Sequence, residues 1–350
     1  MAGELVLLTG GTGFLGSTIL VDLLKSGYRV RVAARSQAKI DGVRAAPSIS
    51  AINPPTTQLM FVIIPDMTAI GAYDDAVQGV DFIIHAAAPL HSGDEASAPR
   101  KEQLEDAFVT ASVNGNLGIL KSANEKTKTV KRIVMTSSTV AIAPTEVYIM
   151  DTKEREVVRG PESRVAVLVP PYDSEFHAYC AGKAASLEAS EIFVRDNAPS
   201  FDLISIMPSW IFGKDELITN TGDMRTSSTN TLISGLLTGN PGIPSIGNAI
   251  LCGDVARAHV KALDLNIEGN QSFVLNTEAI WEDTVPIVKK YFPDAFESGI
   301  FREGFHQPTI SLKWDSSKAQ EVLGIDIAPY DMIVKEVIGQ YLELAKGENK

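Results

Sequence analysis

Cysteine is nearly absent. Cys180 and Cys252 are the only two in 350 residues and form no CxxC pair, which leaves neither a disulfide framework nor a thiolate metal cage. The five histidines, His85, His91, His177, His259 and His306, show no HExxH or comparable ligand spacing, so no metal is expected. Cationic side chains are also in short supply: 31 Lys and Arg stand against 43 Asp and Glu, a net charge of −12. A balance of that sign argues against nucleic acid or an anionic membrane as the main partner. Long hydrophobic runs are missing as well. Met1-Ala2-Gly3-Glu4 lacks a basic n-region, and the apolar stretch Leu5–Leu8 breaks at Thr9-Gly10-Gly11. The last residues, Gly347-Glu348-Asn349-Lys350, match no organelle address. Export and membrane insertion are therefore not expected, and the cytoplasm is the expected location.

What is present is an ordinary globular composition, 45% hydrophobic and 21% charged, with material for a large core and against overall disorder. The length fits one large α/β unit or two lobes. Short β-branched runs at Leu5–Thr9, Arg29–Ala33, Met60–Ile64, Phe82–His85, Arg132–Thr136 and Leu203–Met207 alternate with helical spacing. That alternation predicts βαβ units and a parallel sheet covered on both faces. In the first helix Leu15, Ile19 and Leu23 fall four apart, Leu20 and Leu24 join them, and Gly27 sits where a C-terminal cap belongs. Further helices are expected around 100–124, 177–195, 254–266, 281–291 and 330–345. Beyond about residue 145 the alternation degrades into the polar stretch Thr145–Ser163 and the Ser/Thr/Asn/Gly-rich Thr219–Asn230. Irregular segments of this kind build the substrate side of α/β enzymes; Thr145–Ser163 reads equally as a flap or as an ordered surface loop.

The strongest signal is strand Leu5–Leu8, then Thr9-Gly10-Gly11-Thr12-Gly13-Phe14-Leu15-Gly16, then a helix. Gly10 allows the tight turn, Gly13 lets the backbone approach a pyrophosphate, and Gly16 permits close helix–strand packing. Gly10, Thr12, Gly13, Phe14, Leu15 and Gly16 are thus candidate dinucleotide contacts, with the helix N-terminus facing the phosphates. The alternative is a tight strand-to-helix turn with no ligand. No Gly-Lys-Ser/Thr follows, so the turn is not a Walker motif. At the end of the second strand stands Ala33-Ala34-Arg35-Ser36, with no acid before Asp41. Arg35 suits a ribose 2′-phosphate, with Lys39 as a lesser contributor, so NADP(H) is expected over NAD(H).

Tyr179 and Lys183 are four apart, one face and a rise of about 6 Å in a helix against about 13 Å in a strand. An ammonium beside a phenol lowers the phenol's pKa and makes it a usable general acid. Thr136-Ser137-Ser138 ends an apolar strand and so lies at the carboxyl edge of the sheet, where ligands of open α/β folds bind.

In this order and over this length, Thr9–Gly16, Thr136-Ser137-Ser138 and Tyr179–Lys183 resemble the extended short-chain dehydrogenase/reductases. More narrowly, Val80–Pro89, Val113-Asn114-Gly115 and Met207–Gly213 resemble the branch holding dihydroflavonol reductase, cinnamoyl-CoA reductase and fungal aldehyde/ketone reductases. The resemblance implies an α/β fold, a Rossmann-type doubly wound parallel sheet with a smaller, discontinuous C-terminal substrate-binding lobe. The chain is then one unit over 1–350, with about 4–213 mainly dinucleotide-binding, about 214–350 mainly substrate-binding, and returns to the first lobe near 250–276. It implies Ser138 as the catalytic serine, with Ser137 as second choice, Tyr179 as proton donor, and Lys183 as the residue that binds the nicotinamide ribose and tunes the tyrosine. Arg35 matches the 2′-phosphate contact, and Asp66 and Met67 the adenine-side pair. Ala86, Ala87 and Ala88 match the wall beside the cofactor, Pro208 and Ser209 the loop bordering the nicotinamide. His85 reads as structural, and Cys180 as a small buried filler.

The Asn-Trp-Tyr-Cys signature of cinnamoyl-CoA reductases is absent, and Thr145–Phe176 does not match the plant members. A small or medium aldehyde or ketone, reduced to its alcohol with NADPH, is the expected substrate, and the chain is expected as a monomer or homodimer. The rival readings are an NAD-dependent sugar-nucleotide epimerase or dehydratase, against which Arg35 speaks, and a non-catalytic NADP-sensing protein, against which the intact serine, tyrosine and lysine speak.

Overall fold

The computed structural model describes residues 3–89, 98–226 and 232–348; His91 lies outside them. Strands β1 (Leu5–Thr9), β2 (Arg29–Ala34), β3 (Leu59–Ile63), β4 (Phe82–His85), β5 (Arg132–Thr136) and β6 (Asp202–Pro208) join the strand Gln271–Leu275 in one seven-stranded sheet. All its pairings are parallel. Its order is Gln271–Leu275, β6, β5, β4, β1, β2, β3. The chain winds outward from β1 in both directions, so the order reverses between β1 and β4, and a crevice opens there at the carboxyl ends of the strands. Gln271–Leu275 is the strand that periodicity leaves unmarked, because five residues starting with Gln-Ser carry little signal alone.

The sheet separates its side chains by parity, as a pleated strand must. Val6, Leu8, Val30, Val32, Ile84 and Val134 enter one core with α1 (Phe14–Lys25) and the helix Cys252–Lys261. Leu5, Leu7, Ile83, Ile133 and Met135 enter the other, which α4 (Ala111–Lys126) and α6 (Glu175–Asn197) cover. Two short helices, α2 (Gln37–Ala45) and α3 (Pro47–Ile52), follow β2. The expected apolar stripe of α1 is buried at Ile19, Leu20, Leu23 and Leu24. Gly27 closes that helix with a φ of +84°, its N–H donating to Leu24 O and that of Tyr28 to Leu23 O, the paired bonds of a left-handed C-terminal cap.

The helix expected over 100–124 comes in pieces: a 3₁₀ turn Lys101–Gln103, a π-helical stretch Glu105–Thr110, and α4. The widened stretch is where α6 presses closest, since a Cβ on Gly182 would meet Phe108 O at 2.5 Å. The Thr145–Ser163 stretch holds α5 (Glu146–Ile149) and the 3₁₀ turn Lys153–Glu156. It is pinned by Arg159, whose N–H donates to Lys313 O and whose carbonyl accepts from Asp315 N. Residues from Phe212 onward build a separate core around Trp281, Ile333, Val337 and Ile338. Among the described residues no helix is long and apolar enough to cross a membrane.

One buried cation ties the sheet together below the site. Arg132, 1% exposed at the start of β5, donates from Nε and Nη2 to the two Asp202 carboxylate oxygens at 2.6 and 2.9 Å. It also donates to the carbonyls of Ala262, Asp264 and Ile267. A buried fork bonded on every side is costly to break from one side, by about 3 to 5 kcal/mol. Arg132→Met is therefore expected to lower the unfolding free energy in urea by about 3 kcal/mol; a loss below about 1 kcal/mol would contradict this role.

Candidate active site

The glycine turn joins β1 to α1, and each glycine has a separate physical reason. Gly10 has a φ of +71°, and a Cβ there would meet Ala87 N at 2.6 Å. At Gly16 a Cβ would lie 2.0 Å from Gly10 O, so α1 can seat on the turn only without a side chain. Gly13 differs. Its backbone is extended, φ −113° and ψ 176°, and a Cβ would meet nothing nearer than Gly10 O at 3.5 Å. The chain itself does not demand a glycine there, whereas a ligand lying on the turn does. Gly13 is also the N-cap of α1, with no side-chain cap and no acid in the first turn. The amides of Phe14, Leu15 and Gly16 thus have no partner within the helix and sit at its positive end. Thr12 is half-buried and Gly13 exposed beside them.

At the end of β2, Arg35 is exposed and makes no hydrogen bond or ion pair with any described residue. The nearest acid in sequence, Asp41, is engaged by Gln37 at 2.8 Å. Lys39 is exposed; burial raises the Asp215 carboxyl, and the Lys39 charge offsets only part of that rise. Asp66 accepts from Thr68 N at 2.8 Å and Thr68 Oγ1 at 2.7 Å, and these bonds lower its pKa. That carboxylate is first of all a turn former. Met67 packs toward Gly115 of α4. Ala86, Ala87 and Ala88 leave β4 half-buried, and Ala87 N–H donates to Thr9 Oγ1 at 3.2 Å, which fixes this wall to the glycine turn.

Across the crevice α6 starts at an N-cap, Ser174, whose hydroxyl accepts from His177 N. The helix places Tyr179 and Lys183 on one face, with Lys183 Nζ 5.9 Å from the Tyr179 ring centroid. Ser138 follows β5 and caps the turn Thr139–Ala141 by accepting from Val140 N at 3.3 Å. Its hydroxyl lies near enough to the Tyr179 phenol to work against the rise in the phenol's pKa that burial causes. The fold thus brings Ser138, Tyr179 and Lys183 together, with Ser138 rather than Ser137 against the phenol.

The electrostatics depart from expectation in one respect. Burial pushes the Tyr179 phenol up to about 12; the Cys180 thiol adds to the rise, and the nearby Ser138 hydroxyl acts against it. Burial acts on the Lys183 ammonium too and pushes it down to about 8. Lys183 has one protein acceptor, Thr136 O at 3.5 Å. Thr136 in turn is held by its hydroxyl, 2.7 Å from His259 Nε2, while His259 Nδ1 sits 2.8 Å from Val255 O. The carbonyl takes the Nδ1 proton, so Nε2 accepts from Thr136, and burial keeps the ring neutral with a pKa near 4. This support was missed in sequence, because Thr136 and His259 are 123 positions apart and neither is exceptional alone. His85 is buried with Nδ1 2.9 Å from Thr9 Oγ1, consistent with its structural reading.

Two hydroxyls at the sheet edge, Ser137 Oγ after β5 and Ser209 Oγ after β6, are buried with no hydrogen-bond partner among the described residues. Pro208 ends β6, and Ser209 N–H donates to Leu275 O at 2.9 Å. Buried donors left unpaired are costly unless a ligand or water meets them. Together with the open Gly13 and the uncapped helix, they fit a dinucleotide lying across the crevice. Among the described residues no cluster of metal-binding side chains occurs.

The family model "NAD dependent epimerase/dehydratase family" matches residues 6–276. The chain belongs to this family, the extended short-chain dehydrogenase/reductases. Ketoreductase CTB6 of Cercospora nicotianae is 36% identical, with 98% of this chain and 96% of that protein covered. NAD-dependent epimerase/dehydratase ALT6 of Alternaria alternata is 32% identical over 92% of this chain and 93% of its own. Among solved structures, yeast methylglyoxal/isovaleraldehyde reductase Gre2 complexed with NADPH superposes with a TM-score of 0.81 at 23% identity, covering 98% of this chain and 99% of that one. Within the NAD(P)-dependent family the chain is of the reductase type.

The two glycines make a paired expectation. Gly13→Ala should fold with an unchanged melting temperature yet bind dinucleotide about tenfold or more weakly. Gly16→Ala should lower the melting temperature outright. Equal dinucleotide affinity in a folded Gly13→Ala protein, read by fluorescence titration, would contradict the assignment of the turn.

Proposed function

We propose that this chain is an NADPH-dependent reductase that converts an aldehyde or ketone to its alcohol. The observation that carries the reading is the meeting of Ser138, Tyr179 and Lys183 at the carboxyl edge of the sheet, across from an uncapped glycine turn. The dinucleotide, when bound, supplies the hydride for the carbonyl carbon. On the protein side, Ser138 donates a hydrogen bond to the substrate oxygen as negative charge gathers on it. Tyr179 delivers the proton to that oxygen from its hydroxyl. Lys183, held by Thr136, binds the nicotinamide ribose and keeps a positive charge behind the phenol. Pro208 and Ser209 border the nicotinamide, Ala86 to Ala88 form the wall beside it, and Asp66 and Met67 flank the adenine. Arg35 carries the choice of cofactor: an unpaired guanidinium ends β2, where a ribose 2′-hydroxyl would call for a carboxylate. Phosphate is bound well by such a planar fork, with Lys39 adding charge at the rim.

Three outcomes test this. Purified protein given NADPH and a panel of aldehydes, ketones and diketones should consume the nicotinamide absorbance, and Tyr179→Phe should abolish that turnover while binding NADPH normally. Equal activity of the mutant would remove Tyr179 as proton donor; binding without turnover across the panel would favour an epimerase or a non-catalytic cofactor sensor. The pH profile follows from the two pKa values. The phenol stays protonated to about 12, whereas Lys183 loses its charge near 8, so kcat/KM should be level below pH 8 and fall above it. A profile flat through about pH 10 would contradict a required cation at Lys183. Finally, Arg35→Asp should reduce the NADPH over NADH preference about tenfold or more, since it replaces a charge-assisted bond by repulsion.

A further inference from the structure

The buried side-chain atoms without a hydrogen-bond partner are not scattered over this chain. Among the described residues they are Glu4 Oε2, the Tyr148 hydroxyl, His85 Nε2, Ser137 Oγ, Ser209 Oγ and Asn276 Oδ1. The last four stand at the carboxyl ends of β4, β5, β6 and Gln271–Leu275, which are successive neighbours in the sheet. Unpaired buried polar groups call for an explanation, and this edge is where open α/β sheets bind ligands. Ser209 and Asn276 form a register pair. Leu275 pairs with Pro208 in the parallel ladder, and Ser209 N–H donates to Leu275 O at 2.9 Å, so the next partners along the two strands are Asn276 and Ser209. Partners of this kind share a face and lie about 4.8 Å apart.

That face is the one α6 covers. Two residues back along the strands, Met207 and Val274 form a buried cluster with Leu187 of α6 and with Ala141 and Ile142, which close the turn that Ser138 caps. Leu187 follows Lys183 by four residues and Tyr179 by eight, on one line of the helix. Since α6 precedes the start of β6 and begins at the carboxyl edge, it runs against the strands. Two residues of strand rise about 6.6 Å and four of helix about 6 Å. Ser209 and Asn276 therefore stand on the sheet at the height where Lys183 stands on α6, above the residues that close the Ser138 turn.

Their chemistry specifies a partner. Ser209, only 8% exposed, can donate from its hydroxyl, whereas Asn276 Oδ1 can only accept. Ser316 Oγ is already engaged by Asn276 N–H at 3.1 Å. A ketone or ether oxygen would satisfy Ser209 alone. A primary carboxamide satisfies both, its oxygen accepting from Ser209 and its N–H donating to Asn276. The nicotinamide ring carries such a group, and Lys183, at the same height, is the residue given to its ribose above. We infer that Asn276 together with Ser209 holds the carboxamide of the nicotinamide, with Asn276 as the acceptor that reads its N–H. The inference rests on the dinucleotide reading of the site and adds to it a residue from the far side of β6. Gripped on both amide atoms, the ring keeps one rotation about its bond to the ribose, and with it one face toward the substrate.

Fluorescence titration of the full chain with NADP⁺ and with its 3-acetylpyridine analogue, in which a methyl group replaces the amide nitrogen, tests this without any turnover. The analogue should bind about tenfold more weakly, since it leaves Asn276 Oδ1 buried and unpaired. Asn276→Leu should bring the two affinities to within about twofold by weakening NADP⁺, and Asn276→Asp, which keeps an acceptor, should preserve the preference. Ser209→Ala should weaken both ligands alike, because both retain the carbonyl. Equal binding of the two ligands by the unaltered protein, or a preference unmoved in folded Asn276→Leu, would overturn the inference and leave the dinucleotide reading standing. Should Asn276→Leu not fold, Asn276→Ala takes its place, with the same two outcomes. Failure of both ligands to bind would overturn the dinucleotide reading and the inference with it.

Discussion

The seating of α1 on the glycine turn is the constraint on which the site depends. Gly16 lies so close to Gly10 O that no side chain fits between helix and turn, and Gly10 in turn lies too close to Ala86 and Ala87 for one. Because of that contact the N-terminus of α1, the end of β1 and the end of β4 form one rigid rim. Thr9 fastens the same rim from within, its hydroxyl accepting from Ala87 N–H and lying against His85. A rim held by backbone contact on both sides can present unpaired amides to an anion without collapsing onto it.

Across the crevice the governing effect is burial. Among the described residues Lys183 has no carboxylate partner, and its ammonium, enclosed against Thr136, is held well below the ordinary lysine range. The same enclosure raises the Tyr179 phenol. The phenol therefore stays protonated over the whole working range, and the lysine becomes the group whose charge varies near neutrality. The neutral His259 beneath Thr136 stiffens the lysine's acceptor and adds no competing charge. Below them, Arg132 locks β5 to β6 and to the segment after Cys252–Lys261. The strands that carry Ser138 and Ser209 thus share a fixed base.

Much of this was legible in sequence because it is local. The turn Thr9–Gly16, the four-residue step from Tyr179 to Lys183, and six apolar runs each contain their own evidence within a short window. The strand Gln271–Leu275 was not legible, since its membership of the sheet is decided by pairing with β6 far away in sequence. The expected drop in the Tyr179 pKa also failed, because a spacing argument places the ammonium but says nothing of how deeply both groups are enclosed. Asp66 matches a family pattern, and its Oδ1 accepts both bonds from Thr68. His259 was beyond reach for a similar reason, since only the fold brings it against Thr136.

The central claim is that a hydride is delivered to a carbonyl carbon and remains there in the alcohol product. NADPH deuterated at the nicotinamide C4 position that is transferred, incubated with a reducible ketone and the protein, tests it directly by mass spectrometry and NMR of the product. The account predicts one deuterium on the carbinol carbon and a solvent proton on the oxygen. Product without the label, or label that returns to the cofactor with no net alcohol, would contradict it.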